Sequence, residues 1–310
     1  SLGWTHEYIS EYAISASWFG RAWRIAQTME SPSMLLDSLH GRLSVWYQWD
    51  RWNESCEVAT SILQTSEQYQ QDENWQLRAL AVLAELTYRT GQPEESDTLL
   101  HRYQRLYEQS TAQAARVPAS APIQPLLMPA IYAAREDWPH ALADLREVVS
   151  RAEPFPSPSM LAHLAELTVL AHEPVAEQQA TCARALSQAV QADACKFLAI
   201  AQRARGRMHL AQESWDEAEQ DLRQALESFK TLDLPWEQGQ TLACLGQLHQ
   251  SRAMLPNAAR THHLSLAQLF HEQALGFFES LHAVHDVRRV RERIEEEDRK
   301  ERKESGIVRL

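Results

Sequence analysis

The chain has 310 residues, a formal net charge of −12 at pH 7, 44% hydrophobic and 23% charged residues. It is too apolar for a disordered polymer, and its acidic balance disfavours non-specific binding to nucleic acid or anionic lipid, whose phosphates need clustered Lys and Arg. Glycine is scarce, with nine in the chain, whereas Ala, Leu, Gln, Glu and Arg abound; these residues lose least on entering a helix and predict an all-helical fold.

The opening SLGWTHEY has neither an initiator Met nor a basic-then-apolar signal pattern, and reads as an internal piece of a longer protein. Residues 1–33 are expected to form N-terminal helices, a first or capping unit that carries Trp18 and Trp23. A motif then recurs in DRWNESCEVATSIL (50–63), TGQPEESDTLLHRY (90–103), EDWPHALADLREVV (136–149) and ESWDEAEQDLRQAL (213–226). Its small residues Ser55, Ser96, Ala141 and Ala218 are 41, 45 and 77 positions apart. The last interval spans two units, with MLAHLAELTVLAHEPVAEQQATCARALSQAV (160–190) as the copy between them. A further unit at 239–281 puts Gly246 40 positions after Gly206. A fixed period of this size marks stacked supersecondary units.

Each unit splits into two amphipathic helices. In the clearest one, Phe197, Ile200, Ala201, Ala204 and Met208 recur at three- and four-residue spacing, and Ala218, Leu222, Ala225, Leu226 and Phe229 do so again. Between them Ser214 is expected as N-cap, with Glu217 completing a capping box. Asp137 ahead of Pro139, and Glu94 with Glu95 after Pro93, mark other helix starts. RVPASAPIQP (116–125) and EPFPSPSM (153–160) are expected as irregular joints within one solenoid. In the last unit either the second helix is long or THHLSLAQ (261–268) forms an inserted turn. Residues 286–310 are charge-dense, with one stripe of Val287, Val290 and Ile294. They are expected to form a capping helix running into solvent, where Arg291–Glu295, Glu295–Arg299 and Glu296–Lys300 are spaced as pairs worth about 0.2–0.5 kcal/mol each.

Motifs for chemistry are missing from the sequence: no G-x-x-x-x-G-K loop, no G-x-G-x-x-G after a strand, no G-x-S-x-G elbow. Neither an enzyme nor a bound cofactor is expected. Cys56, Cys182, Cys195 and Cys244 are scattered without a Cys-x-x-Cys pair and read as reduced thiols of a cytoplasmic protein. No apolar run reaches the roughly 18 residues of a membrane span. His262, His263, His271, His282 and His285 crowd the C-terminal part without a completing ligand set, and read as ordinary helix histidines. Among ten tryptophans, Trp52, Trp138 and Trp215 hold equivalent repeat positions and read as packing wedges. Trp4, Trp18, Trp49, Trp75 and Trp236 lack equivalents and are candidates for contacts beyond the fold.

Gly206, Trp215, Ala218, Ala225 and Leu226 in one unit, Tyr132, Trp138 and Ala141 in another, and Trp46 and Trp52 in the first resemble the tetratricopeptide (TPR) pattern. The longer period is similar to the helical C-terminal regions of large bacterial STAND and LuxR-type (maltose-activator-like) regulators and AAA-ATPase-linked signalling proteins. The resemblance implies a right-handed α-solenoid of five to seven TPR-like hairpins over 34–285. It further implies a protein, peptide or small effector bound on the concave face, and a sensor or scaffold role beside neighbouring domains of a larger bacterial signalling protein. In the TPR register the groove-facing residues are His40, Ser44 and Tyr47; Ala81, Glu85, Tyr88 and Arg89; Arg203 and Arg207; Ala243 and Gln247. Arg203 and Arg207, one turn apart, are placed either to grip an acidic group or to be neutralised by carboxylates of a neighbouring second helix. The Asn-containing carboxylate clamp of chaperone-binding repeats is not reproduced. Two other readings stand beside this one: an adaptor that oligomerises through its terminal helices, and an enzyme whose groove site no motif marks.

Overall fold

The computed structural model describes residues 11–69, 73–114, 127–255 and 259–304. Among them lie fourteen α-helices and no strand. Six hairpins follow one another: α2 (Pro32–Gln48) with α3 (Trp52–Tyr69), α4 (Glu73–Arg89) with α5 (Pro93–Ala114), α6 (Leu127–Ala134) with α7 (Trp138–Ala152), α8 (Pro158–Leu170) with α9 (Val175–Gln191), α10 (Cys195–Ala211) with α11 (Trp215–Thr231), and α12 (Pro235–Ala253) with α13 (Arg260–Ser280). They are flanked by α1 (Tyr12–Thr28) and α14 (Val284–Glu304). Successive helices pack on each other, and first helices also pack from unit to unit: α2 on α4, α4 on α6, α8 on α10, α10 on α12. First helices therefore form the inner layer of an all-α solenoid of TPR-like hairpins.

Local chemistry dictates the repeated turn. After α1, α2, α4, α6, α8, α9, α10, α11 and α13 one residue takes positive φ: Glu30, Asp50, Gly91, Glu136, His172, Asp193, Glu213, Asp233 and His282. The next N–H bonds back five residues, as from Arg51 to the Trp46 carbonyl (2.9 Å) and from Ser214 to that of His209 (2.9 Å). This closure satisfies carbonyls that the helix end would otherwise leave open. With Gly at one of these nine sites, the others accept a left-handed conformation that disfavours L-residues.

Trp52, Trp138 and Trp215 each occupy the first position of a second helix. Trp52 is buried and the other two pack partly buried against the core, which makes them wedges at the hairpin turn. Ser214 is the N-cap of α11 but its side chain makes no capping bond, so the expected capping box is absent; Asp137 does cap α7, accepting from the His140 N–H (3.4 Å). Gly206 and Gly246 let second helices approach closely. A Cβ on Gly206 would sit 2.9 Å from Leu222, and one on Gly246 2.3 Å from the His271 ring. Phe229 is sealed between units and its burial contributes about 2–3 kcal/mol. THHLSLAQ is helical, so the last second helix is simply long. EPFPSPSM forms the joint between α7 and α8, whereas RVPASAPIQP and Trp4 lie outside the described residues.

α14 docks through the apolar stripe expected of it. Val290 is buried, and Val287 and Ile294 pack on the core. Asp286 and Arg289 turn inward beside this stripe, Asp286 meeting α12, whereas Arg288, Arg291, Glu292 and Glu295 are exposed. Arg291 reaches Glu279 of α13 (2.7 Å), while the side chains of residues 296–304, with the proposed Glu295–Arg299 and Glu296–Lys300 pairs, lie outside the description.

Candidate functional site in the solenoid interior

A row of charged residues one repeat apart runs along the inner wall: Glu166 on α8, Arg203 on α10 and Glu237 on α12. Arg203 on α10 donates from Nε and Nη2 to both carboxylate oxygens of Glu166 on α8 (2.8 and 3.1 Å), and from Nη1 to Glu237 on α12 (2.6 Å). These partners are 37 and 34 positions away, so they occupy equivalent inner positions of adjoining units. The guanidinium also lies 5.2 Å over the Phe229 ring. Only 1% of Arg203 is exposed, a burial that would cost several kcal/mol without partners. Burial pushes Glu166 towards the neutral acid, but Arg203 and Arg207 outweigh it and hold the carboxyl at about 2. Burial also works against the charge on Arg203, and Glu166 and Glu237 more than compensate. Arg207, one turn on, meets Glu166 (3.6 Å), the Cys244 thiol (Nε to Sγ 3.1 Å) and Gln240 (3.3 Å).

A clasp joins the two ends of this wall. The turn after α2 docks on the starts of α10 and α12, where Asp50 accepts the backbone N–H groups of Trp236 (3.0 Å) and Glu237 (3.2 Å). Asp50 thus caps a helix 186 residues downstream, the role that Leu234 at the N-cap position cannot fill. Lys196 donates to the Gln48 carbonyl (2.6 Å) and faces Asp50 (3.9 Å) and Glu237 (3.8 Å), and Arg51 bonds Asp233. Desolvation raises the Asp50 carboxyl to about 6; Lys196 pulls it down and Glu237 pushes it further up.

A second polar group continues from the clasp. Tyr47 donates to Glu85 (2.5 Å), which also accepts from Arg89 (2.8 Å); Arg89 lies 4.4 Å over the Trp236 ring. Asp286 on α14 accepts from Gln240 (2.7 Å), from the Trp236 indole (3.4 Å) and from Arg289, which also binds Glu136. His285 stacks on Tyr88 at 4.4 Å, and Arg135 lies 5.1 Å over the same Tyr88 ring.

The sequence-nominated residues therefore meet different ends. Arg203, Glu85, Arg89 and Tyr47 are consumed by one another and by Glu166 and Glu237; the acids that neutralise Arg203 come from first helices, not the second helix that was expected. His40 binds Arg78 (3.0 Å) beside Trp75, and burial followed by the Arg78 charge lowers its ring to about 3. Tyr88 stacks, Ala243 is buried, Arg207 is partly buried among Glu166, Gln240 and Cys244, and Gln247 is exposed. Of the tryptophans without equivalents, Trp49 stacks on Trp46 and Trp236 serves the clasp, while Trp18 is exposed. Asp50, Glu166, Lys196, Glu237, Asp286, Arg289 and Arg293 were missed by sequence reasoning; stepping one repeat either way from Arg203 would have found Glu166 and Glu237. Among the described residues no three His, Cys, Asp or Glu side chains are grouped to hold a metal ion, and all four cysteines are free thiols.

No family model matches the chain, and no curated protein matches it. Among solved structures it is similar to a Signal Transduction ATPase with Numerous Domains (STAND) protein with a tetratricopeptide repeat sensor from Pyrococcus horikoshii, at 14% identity and a TM-score of 0.44. The match covers 90% of this chain and 45% of that one, so the chain spans less than half the length of its neighbour.

Proposed function

We propose that this chain is a non-enzymatic binding solenoid, the sensor or scaffold segment of a larger bacterial signalling protein, whose ligand acts by changing its curvature. The observation that supports this reading is the clasp. Two parts of the inner wall far apart in sequence meet through Asp50, Lys196, Arg51 and Asp233, so closure depends in part on a few polar contacts beside the apolar core that both parts share. A ligand that favours one curvature biases that contact, and neighbouring domains read the difference. The carboxylates of the wall are held in ion pairs, which leaves them poorly suited to act as general bases.

In the parent protein, Lys196→Met is expected to loosen the clasp, enlarge the solenoid in small-angle scattering and shift basal output. If deleting the whole segment leaves both output and ligand response unchanged, the reading is wrong. A second reading, an adaptor that oligomerises, is favoured by one feature: Ile14, Trp18, Ile25 and Met29 form an exposed apolar stripe on α1. Sedimentation separates the two, since a monomer at all concentrations excludes the adaptor.

A further inference from the structure

We propose that Arg207, Arg293 and Gln247 form a binding site for a small oxyanion, a phosphate or carboxylate group of an effector, at the open end of the solenoid interior. The proposal rests on the binding reading above and names the chemistry of its ligand. It starts from a ladder between α12 and α14. Gln240 bonds Asp286, and Arg289 bonds Asp286 from the same helix. One turn further along α12 stands Cys244, and one turn beyond Arg289 on α14 stands Arg293. Arg207 spans both levels, with Nη2 on Gln240 and Nε on the Cys244 thiol. Gln247 follows on the same face of α12 and is exposed.

Arg293 is the odd member of this wall. Arg203 has two carboxylates, Arg89 has Glu85, and Arg289 has Asp286 and Glu136. Arg293 is half-buried and, among the described residues, has neither an ion pair nor a hydrogen bond, while none of its nitrogens is sealed from solvent. Burial works against its charge, Cys244 favours it, and Arg207 and Arg289 repel it; Glu136, which also favours it, is already bound by Arg289. A planar guanidinium with five free donors, beside a second one whose carboxylate is shared, matches the forked geometry of phosphate and carboxylate. Gln247 adds an amide donor. Such a site costs stability while empty and recovers it when an anion enters, which is what a sensor requires.

The test is titration of the intact chain with sodium pyrophosphate and, separately, sodium malonate in low-salt buffer, read by calorimetry and by thermal melting. Saturable binding of at least one probe is expected, with affinity reduced tenfold or more in Arg293→Gln and partly kept in Arg293→Lys. Arg288→Gln, on the outer side of α14, is expected to bind as the wild type does. Pyrophosphate alone would identify a phosphate site, and malonate alone a carboxylate site. Binding that is absent for both probes, or equal in wild type and Arg293→Gln, overturns the proposal. If the anion site fails while Lys196→Met still shifts basal output, the sensor reading survives with a different ligand. Binding that depends on Arg293 with no effect of the clasp or of segment deletion on output refutes the sensor reading instead.

Discussion

Arg203 and Arg293 are both arginines drawn from solvent near Arg207, yet one is a structural rivet and the other has no partner among the described residues. Arg203 lies between acids placed one repeat before and one repeat after it, so three adjoining units share its charge. Arg293 stands on the flanking helix α14, beyond the last hairpin, and makes no ion pair among the described residues. A guanidinium inside a solenoid is thus committed or available according to its neighbours at repeat spacing, not according to its own burial. The sharpest way to break this contrast is Arg203→Gln. It strands Glu166 and Glu237 without their cation, and is expected to cost about 3–5 kcal/mol in urea unfolding. A loss below about 1 kcal/mol would show that the ion pairs merely fill space.

The acids of the wall sharpen it further through pH. Glu166 titrates near 2 when folded, against about 4.3 in an unfolded chain. Its contribution, on the order of 3 kcal/mol, is fully present above about pH 4.3 and is lost as pH falls towards 2. Asp50 has the opposite sign. Its folded value of about 6 lies above the unfolded 3.9 or so, so its contribution is present below about pH 4 and lost as pH rises through 6. Buried His249 and His271, both lowered to about 4 chiefly by desolvation, add an acid-labile slope of their own below about pH 6.5. Difference curves isolate each group: wild type minus Glu166→Gln should change only below about pH 4.3, and wild type minus Asp50→Asn only between about pH 4 and 6. Identical slopes in wild type and Glu166→Gln would mean that Arg203 does not hold that carboxylate.

The hairpins were legible because their signals are local. Apolar spacing in 197–229, Trp at the first position of three second helices, and small residues at Ser55, Ala141 and Ala218 all follow from contacts within one unit. The capping box was misread because the Ser214 side chain leaves its role to a backbone turn that five of the six hairpins share. Inner-face positions such as Arg203 and Tyr47 could be assigned from helix phase, but their partners could not. Tyr47 and Glu85 are 38 positions apart, Arg203 and Glu166 37, and a joint of uncertain length shifts that register. The clasp was beyond reach, because Asp50 meets Trp236 only once the summed rotation of several units is known.

The smallest expected effect concerns Arg293 itself. A half-buried cation that makes no ion pair gains little from the fold, and the nearby charges of Arg207 and Arg289 disfavour it. Arg293→Gln should therefore leave stability within about 0.5 kcal/mol of wild type, on the side of a gain, since a neutral amide relieves the repulsion and still reaches water. Added salt should close the gap between the two proteins, because screening weakens the same repulsion between partly exposed charges. A loss comparable to that of Arg203→Gln would place Arg293 among the rivets, and the contrast between the two arginines would vanish.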